Sequence, residues 1–549
     1  MIPENLSEKC LNVEDSATDS NFLNILSAIL RRSKFAFQQR SSSYPVSLQR
    51  RLYLPKSHRV WKILLAILCF SALTACTALG PNYQQPVTSV QSEWTMPELD
   101  THAVGGNVTD DEFWASFSDP TLLDLLRHAQ KNSLTLQSTA LQVDAASETV
   151  SINAASLLPT VTATGSKNYS QPDAASKQKN QNKGSFTDQV LGQLSWELDF
   201  WGKYRRGEEA DKATLESSKA ALASALVSLK ASVANAYINA RIYANRIGVA
   251  EANLREQAES MRIAEARYRL GASSEMDWRQ AQTQFTQTQS QIPVLRISLE
   301  QNQNALSVLL GETPDYFAKH YSASLAADLP TLPTVLPLGV PADLLRRRPD
   351  VRQAEFLAIS QSARIGQAQA ALYPSFSLNG SIGVQTMPDG RDLFSWDSRI
   401  INYGASFTFP LFNRGALLRK VKVQDITFQQ AVLNYQNQVL TAQQNVEDAL
   451  SSFSQGKAQL DALRQAYTAA KRSTDLSLRR YMGGLTDFTT VTNAQQSQLQ
   501  TSDSLVQAQS GVLLAAISAY RSVGGGWTPS VADAPSTPIV DVSLKGVTP

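Results

Sequence analysis

Histidine and cysteine are the scarcest reactive residues here, four of one and three of the other in 549 residues. His58, His102, His128 and His320 are scattered, and Cys10, Cys69 and Cys76 stand at no zinc-ligand spacing, so no metal site is expected. No catalytic constellation emerges, which points away from an enzyme and from any bound cofactor. A charge excess is lacking too. Fifty basic and 48 acidic residues leave a formal +2, which gives no electrostatic reason to expect nucleic acid. Proline is missing between Lys203 and Ile292 and between Leu411 and Thr528, so nothing there forbids helices far longer than the globular norm.

The stretch Val190 to Lys203, VLGQLSWELDFWGK, organises the rest. Val190, Gly192, Leu194, Trp196, Leu198 and Phe200 alternate with Leu191, Gln193, Ser195, Glu197 and Asp199, the period of a strand with one apolar and one mostly wet face. A helical pattern then runs from about Tyr204 to Tyr268. Tyr403 to Arg414 echoes this: Tyr403, Ala405, Phe407, Phe409 and Leu411 alternate with Gly404, Ser406, Thr408 and Pro410, and a second long helical run follows. LPTVTATG ending at Gly165 also parallels YPSFSLNG ending at Gly380, and RYRLGASSEMDWRQAQ from Arg267 parallels RYMGGLTDFTTVTNAQ from Arg480. The chain therefore reads as an internal duplication, each half running helix, strand, strand, very long helix, turn, helix.

Asp119-Pro120 supplies an N-cap and a first-turn proline for a helix expected to reach about Ser156. Leu222, Leu226, Leu229, Val233, Ala236, Ala240, Tyr243, Ile247, Ala250 and Leu254 form a heptad seam, matched by Val432, Tyr435, Val439, Ala442, Val446, Ala449 and Phe453. Alanine allows close helix approach, and the remaining Gln, Ser, Thr and Asn suit a water-lined wall; a dimeric coiled coil is the blander account. Gly271 ends the first long helix, and its return from about Met276 to Leu310 should kink at Pro293. The expected divisions are 1–75 (extension and signal), 76–118 (lipidated lead), 119–311 (first repeat), 312–341 (link), 342–522 (second repeat) and 523–549 (tail).

Arg50, Arg51, Lys56, Arg59 and Lys62 precede an apolar run from Ile63 to Phe70 and the box Leu73-Thr74-Ala75-Cys76. This pattern resembles a bacterial lipoprotein signal, with Cys76 as the lipidated first residue. The apolar run falls short of the roughly 20 residues of a membrane helix; an ordinary signal peptide is the alternative. No second Met occurs from Met1 to Ser57, which fits a start at a non-Met codon near Val46 to Val60. Thr77 and Ala78 follow without an acidic residue, so outer-membrane delivery is expected.

Two strand pairs cannot close a barrel, which needs about eight strands, and open edges are not tolerated in lipid. The chain must oligomerise. At this point a resemblance is plain, carried by the box with its following LGPNYQQP, FW-x-x-F-x-DP-x-LL from Phe113, the strand-to-helix FWGK, DLLRRRPDVRQAE from Asp343, the two RY-x-x-G turns and YRSVGGGW from Tyr520. The chain resembles the outer-membrane efflux lipoproteins, the TolC-like, NodT-like factors of tripartite export systems, over essentially all of its mature length. The resemblance implies an α+β membrane protein: a homotrimer in which four strands per protomer build a 12-stranded β-barrel, continued by a long α-helical barrel in the periplasm. It also implies a lipid-anchored exit duct in the outer membrane of a Gram-negative bacterium, contacting outer-membrane lipids, a periplasmic adaptor and an inner-membrane pump. A lipid-anchored structural or adhesive rod is the competing reading.

Trp196, Phe200, Trp201, Phe407, Phe409 and Phe412 are expected to face the membrane, with Trp201 and Phe412 near an interface girdle; packing against the helices below is the alternative. By alignment on the turns, the resemblance places Asp277 and Tyr481 where relatives form a hydrogen bond that closes the periplasmic end. Capping by Asp277 and simple packing of Tyr481 are the plainer account. Where relatives hold a gate arginine and two constricting aspartates, this chain departs from the pattern with Thr486, Thr490 and Asn493, which implies weaker cation selectivity.

Overall fold

The computed structural model describes residues 78–88, 110–171, 185–326, 329–331, 348–386 and 393–525. Cys76, the signal segment, the middle of the link and residues 526–549 lie outside the described residues. In chain order the helices are α1 (Asp110–Ala115), α2 (Pro120–Asn132), α3 (Leu134–Ala155), α4 (Lys203–Arg269), α5 (Glu275–Leu309), α6 (Tyr316–His320), α7 (Pro349–Ala370), α8 (Arg414–Met482) and α9 (Phe488–Ser522). The strands are β1 (Thr160–Ser170), β2 (Ser185–Leu198), β3 (Ser375–Thr386) and β4 (Arg399–Thr408).

The strands form one antiparallel sheet in the order β1-β2-β3-β4. Helix α3 leads into β1, β2 into α4, α7 into β3 and β4 into α8; α4 packs between α3 and α7, and α7 packs on α8. Helix order thus repeats strand order, and the outer edges of both layers coincide. Toward the turns, α5 returns along α4, and α9 returns along α8 while also packing on α4. The long helices, of 67 and 69 residues, each rise about 100 Å at 1.5 Å per residue. They are joined through α7 and α9.

Local chemistry fixes the strand-to-helix corner. Gly202 has φ +76°, and a Cβ there would lie 2.7 Å from Ala78 Cα, so only glycine fits. Asp199 then accepts from Tyr204 N at 3.1 Å and Arg205 N at 3.0 Å, satisfying orphan donors at the start of α4.

One expectation needs correction. The helix expected to run from Asp119 to Ser156 breaks at Ser133, whose backbone is at φ −59°, ψ 119°. The turn after α5 packs into that break, since a Cβ on Gly311 would lie 2.4 Å from Asn132 O; tertiary contact overrides a sequence that lacks Gly or Pro there. Pro293 lies inside α5, within the extent expected for the return helix. The link holds α6, whose Phe317 is fully buried beside Tyr237.

The main core gathers Phe113, Trp114 and Phe117 with Leu125, Tyr237, Leu310, Ile517 and Tyr520. Asp119 ties it together. It caps α2 through Thr121 N and Leu122 N and accepts from Tyr237 Oη at 2.9 Å and Arg241 Nη1 at 2.5 Å. All three side chains are buried, so removing either charge strands the other, at about 3–5 kcal/mol.

Candidate functional site

The sheet has two unlike faces. Register places Val161, Leu194, Gly380 and Tyr403 in one row, Trp196, Leu378 and Ala405 in another, and Leu198, Phe376 and Phe407 in a third, all on one face. This face is apolar and exposed: Ile382 and Ile401 are more than half exposed, Phe407 is 72% and Tyr403 90%. The other face carries Thr162, Gln193, Ser381 and Asn402 in one row and Ser195, Asn379 and Gly404 in the next. Ser195 Oγ donates to Asn379 Oδ1 at 3.2 Å, and Asn379 Nδ2 to Ser406 Oγ at 3.1 Å, a polar ladder across three strands. The apolar rows from Val190 to Leu198 cover about 26 Å of strand at ~3.3 Å per residue. Charge marks both limits: Lys167 pairs with Asp188 at 3.4 Å toward the hairpin loops, and Lys203 with Glu197 at 3.1 Å toward the helices.

The six expected belt residues divide. Phe412 is 103% exposed, Phe407 and Phe409 are also exposed, and Phe200 is exposed while its ring meets Phe376 edge-on at 5.3 Å. Trp196 Nε1 instead donates to Leu157 O at 2.9 Å. Trp201 Nε1 donates to Pro374 O at 2.8 Å, with its ring stacked on Tyr373 at 4.7 Å. Both tryptophans therefore brace strand–helix corners through a polar handle on an apolar body.

At the opposite end two turns, Leu270–Ser274 and Gly483–Asp487, join the long helices to their returns. Tyr481 is 2% exposed in a small cluster with Ala264, Ala281, Phe488 and Val491, its ring edge-on to Phe488 at 5.1 Å. Its Oη donates to Asp277 Oδ2 at 3.3 Å. Burial holds the phenol above its ordinary pKa, reinforced by the Asp277 charge and opposed by the neighbouring Ser273 hydroxyl and Arg267. Asp277 also takes part in a cap, its N–H donating to Ser274 Oγ at 3.4 Å. Cap and cross-turn partner are thus one residue. Thr486 Oγ1 donates to Thr490 Oγ1, which donates to the α9 cap Asp487 at 2.8 Å. Asn493 is exposed on the following turn.

The outer membrane efflux protein family matches residues 125–312 and 340–525. The chain belongs to that family. A probable efflux pump outer membrane protein, TtgC of Pseudomonas putida, is 30% identical over 472 residues, covering 85% of this chain and 96% of its own length. Nodulation protein T of Rhizobium leguminosarum bv. trifolii is 27% identical over 465 residues, covering 84% and 97%. The solved outer-membrane channel OprN superposes with a TM-score of 0.74 at 28% identity, covering 82% of this chain and all of that one. This efflux protein therefore has the fold of TolC-like outer-membrane channels, acts as an exit duct of efflux systems, and is placed in the outer membrane of Gram-negative bacteria. Family members are channels rather than enzymes.

Sequence reasoning missed two groups of residues in this efflux protein. Arg206, 4% exposed, donates to Leu79 O at 2.9 Å, Gly80 O at 3.2 Å and Asn82 Oδ1 at 2.9 Å, strapping the lead to α4. Arg348 donates to Ser522 O at 2.6 Å and pairs with Asp350 at 2.7 Å, joining the start of α7 to the end of α9. Sequence offered no signal for either: Arg206 stands in the charged run Lys203-Tyr204-Arg205-Arg206 and Arg348 follows Arg346 and Arg347, so each looks like its solvated neighbours.

Proposed function

We propose that this chain is one protomer of a homotrimeric duct in which three four-stranded sheets close a 12-stranded barrel and the helices continue it through the periplasm. The observation that carries this reading is the sheet itself: an exposed apolar face, a polar opposite face, and outer edges on β1 and β4 with no strand partner among the described residues. In lipid such edges must be paired, and the coincident outer helices α3 and α8 expose Leu134, Leu141, Ile152, Ile426, Leu433 and Leu440 where a neighbouring copy would pack. The two family matches and the repeated helix–strand order support descent by internal duplication with the divisions given above. A rod would have no use for an apolar band of membrane height.

On this reading Phe407, Phe409 and Phe412 meet lipid, and Trp196, Phe200 and Trp201 lie at its periplasmic margin. Cys76 carries the covalent lipid, and no other cofactor takes part. An inner-membrane pump and a periplasmic adaptor deliver small drug-like or toxic compounds, which the duct conducts passively. The Tyr481–Asp277 bond holds the periplasmic end closed, while Thr486, Thr490 and Asn493 leave it without a charged ring. Native mass spectrometry of detergent-extracted protein is the test: a trimer is expected, and a stable monomer or dimer would sink the proposal. Labelling with acyl precursor should be lost in Cys76→Ala; unchanged labelling refutes that site alone.

A further inference from the structure

We infer that Arg267 is a second latch of the closed end, a positioning residue that clasps Tyr481 and the second turn against α4; the inference rests on the gate reading above. Arg267 lies in the last turns of α4. Its Nη1 donates to Met482 O at 2.9 Å, and its guanidinium carbon sits 4.9 Å from the centroid of the Tyr481 ring. A Cβ on Gly484, which has φ +74°, would come within 4.0 Å of Nη2. The guanidinium thus spreads over the second turn from ring to glycine.

Four other arginines at this end behave differently. Arg262, Arg269, Arg279 and Arg479 each pair with a carboxylate three or four residues away on their own helix. Arg267 forms no ion pair among the described residues, and its buried Nε has no acceptor. With Nε buried and no carboxylate paired to it, this half-buried cation interacts with the aromatic face more strongly than a fully exposed one would. The two contacts also run in opposite directions: Arg267 reaches from the first hairpin to the second, and Tyr481 Oη reaches back to Asp277 on the first. Breaking the hydroxyl–carboxylate bond alone leaves the ring clasped. Tyr268, the counterpart of Tyr481 in the other repeat, is exposed and stacks on Trp278 at 5.9 Å.

Single-channel recording on the full-length protein tests the clasp. Arg267→Gln should raise open-state occupancy about two- to fivefold per protomer. Arg267→Lys, which keeps charge but loses the planar fork, should recover less than half of the loss. In a Tyr481→Ala background the effect of Arg267→Gln should shrink to the part carried by the Met482 carbonyl, because no ring remains to hold. An equal effect in both backgrounds, matched by an equal fall in melting temperature, means general structural support and overturns the inference; so does unchanged occupancy in Arg267→Gln while Tyr481→Phe with Asp277→Ala opens the channel. If neither the latter pair nor Arg267→Gln changes occupancy, the gate reading itself fails.

Discussion

Beside the short helices α1, α2 and α6, the long helices α4 and α8 bury Val233, Tyr237, Ile238, Leu450 and Phe453; nearer the turns the same two helices bury Asn253, Gln257, Ser260, Thr474 and Ser477. Helices α5 and α9 add Gln284, Thr288, Gln495, Gln498 and Ser502 to the second region. Some of these polar groups are partnered, as in Gln495 Nε2 to Ser260 Oγ at 2.7 Å and Thr474 Oγ1 to Ala494 O at 3.1 Å. Others have no protein partner: both amide atoms of Gln257, Thr288 Oγ1, Thr492 Oγ1 and Gln498 Oε1. Large apolar side chains interlock and resist sliding, whereas small polar ones exchange partners with each other or with water at little penalty. One pair of helices is thus interlocked by apolar packing at one level and joined by small polar contacts at the other.

The largest expected effect lies in the apolar region. Arg241→Ala leaves Asp119 buried without its cation and should lower unfolding free energy by about 3–5 kcal/mol, read by denaturant unfolding of extracted protein. A loss below about 1 kcal/mol would erase the contrast between regions. In the polar region the sign should reverse. Gln257→Leu removes a buried amide that has no partner and should be neutral or stabilising by about 1–3 kcal/mol, with slower amide exchange near the turns; a destabilisation would mean that the amide is held by water. A smaller change should follow release of the tip. Tyr481→Phe with Asp277→Ala removes a bond of about 1–2 kcal/mol and should raise conductance while leaving the unfolding midpoint of the apolar region unchanged.

The smallest effect is on pH. Burial works to raise the Asp350 pKa, but hydrogen bonds and charge from Arg348, aided by Gln438, outweigh it and hold the carboxyl below its ordinary 3.8. A depressed folded-state value means that the stabilising contribution is complete above the unfolded-state value and is lost as pH falls from there through the folded one. Melting curves should therefore be insensitive to Asp350→Asn in salt at acid extremes below the folded value, and should separate from wild type above about pH 4.

Much of this architecture was legible because it rests on period. Alternation at Tyr403–Phe409 placed its residues on the sheet face they occupy, and Tyr435, Val439, Ala442, Val446, Ala449 and Phe453 of the second seam are all buried. The first seam was read less well: Tyr237 and Ile238 are buried while Tyr243 and Ile247 are only half-buried, since α4 changes neighbours along its length. Arg241 and Arg267 escaped notice for a related reason. Each is a basic residue on a long helix, indistinguishable by spacing from the solvated arginines around it, and the partners that set it apart, Asp119 for Arg241 and Met482 O with the Tyr481 ring for Arg267, are distant in sequence. A helix start near Met276 was legible, although the cap is Ser274 rather than Asp277, and the bond from Tyr481, 204 residues away, leaves no trace in local pattern.

The central claim, that the two-faced sheet closes with other copies into a membrane barrel, is tested most directly by planar-bilayer recording in the Tyr481→Phe, Asp277→Ala background, where the tip does not limit current. Discrete conductance steps are expected, and adding Phe407→Arg should abolish them by placing a charge on the lipid face. Undiminished steps with Phe407→Arg, or no conductance from correctly folded trimer without it, would contradict the account.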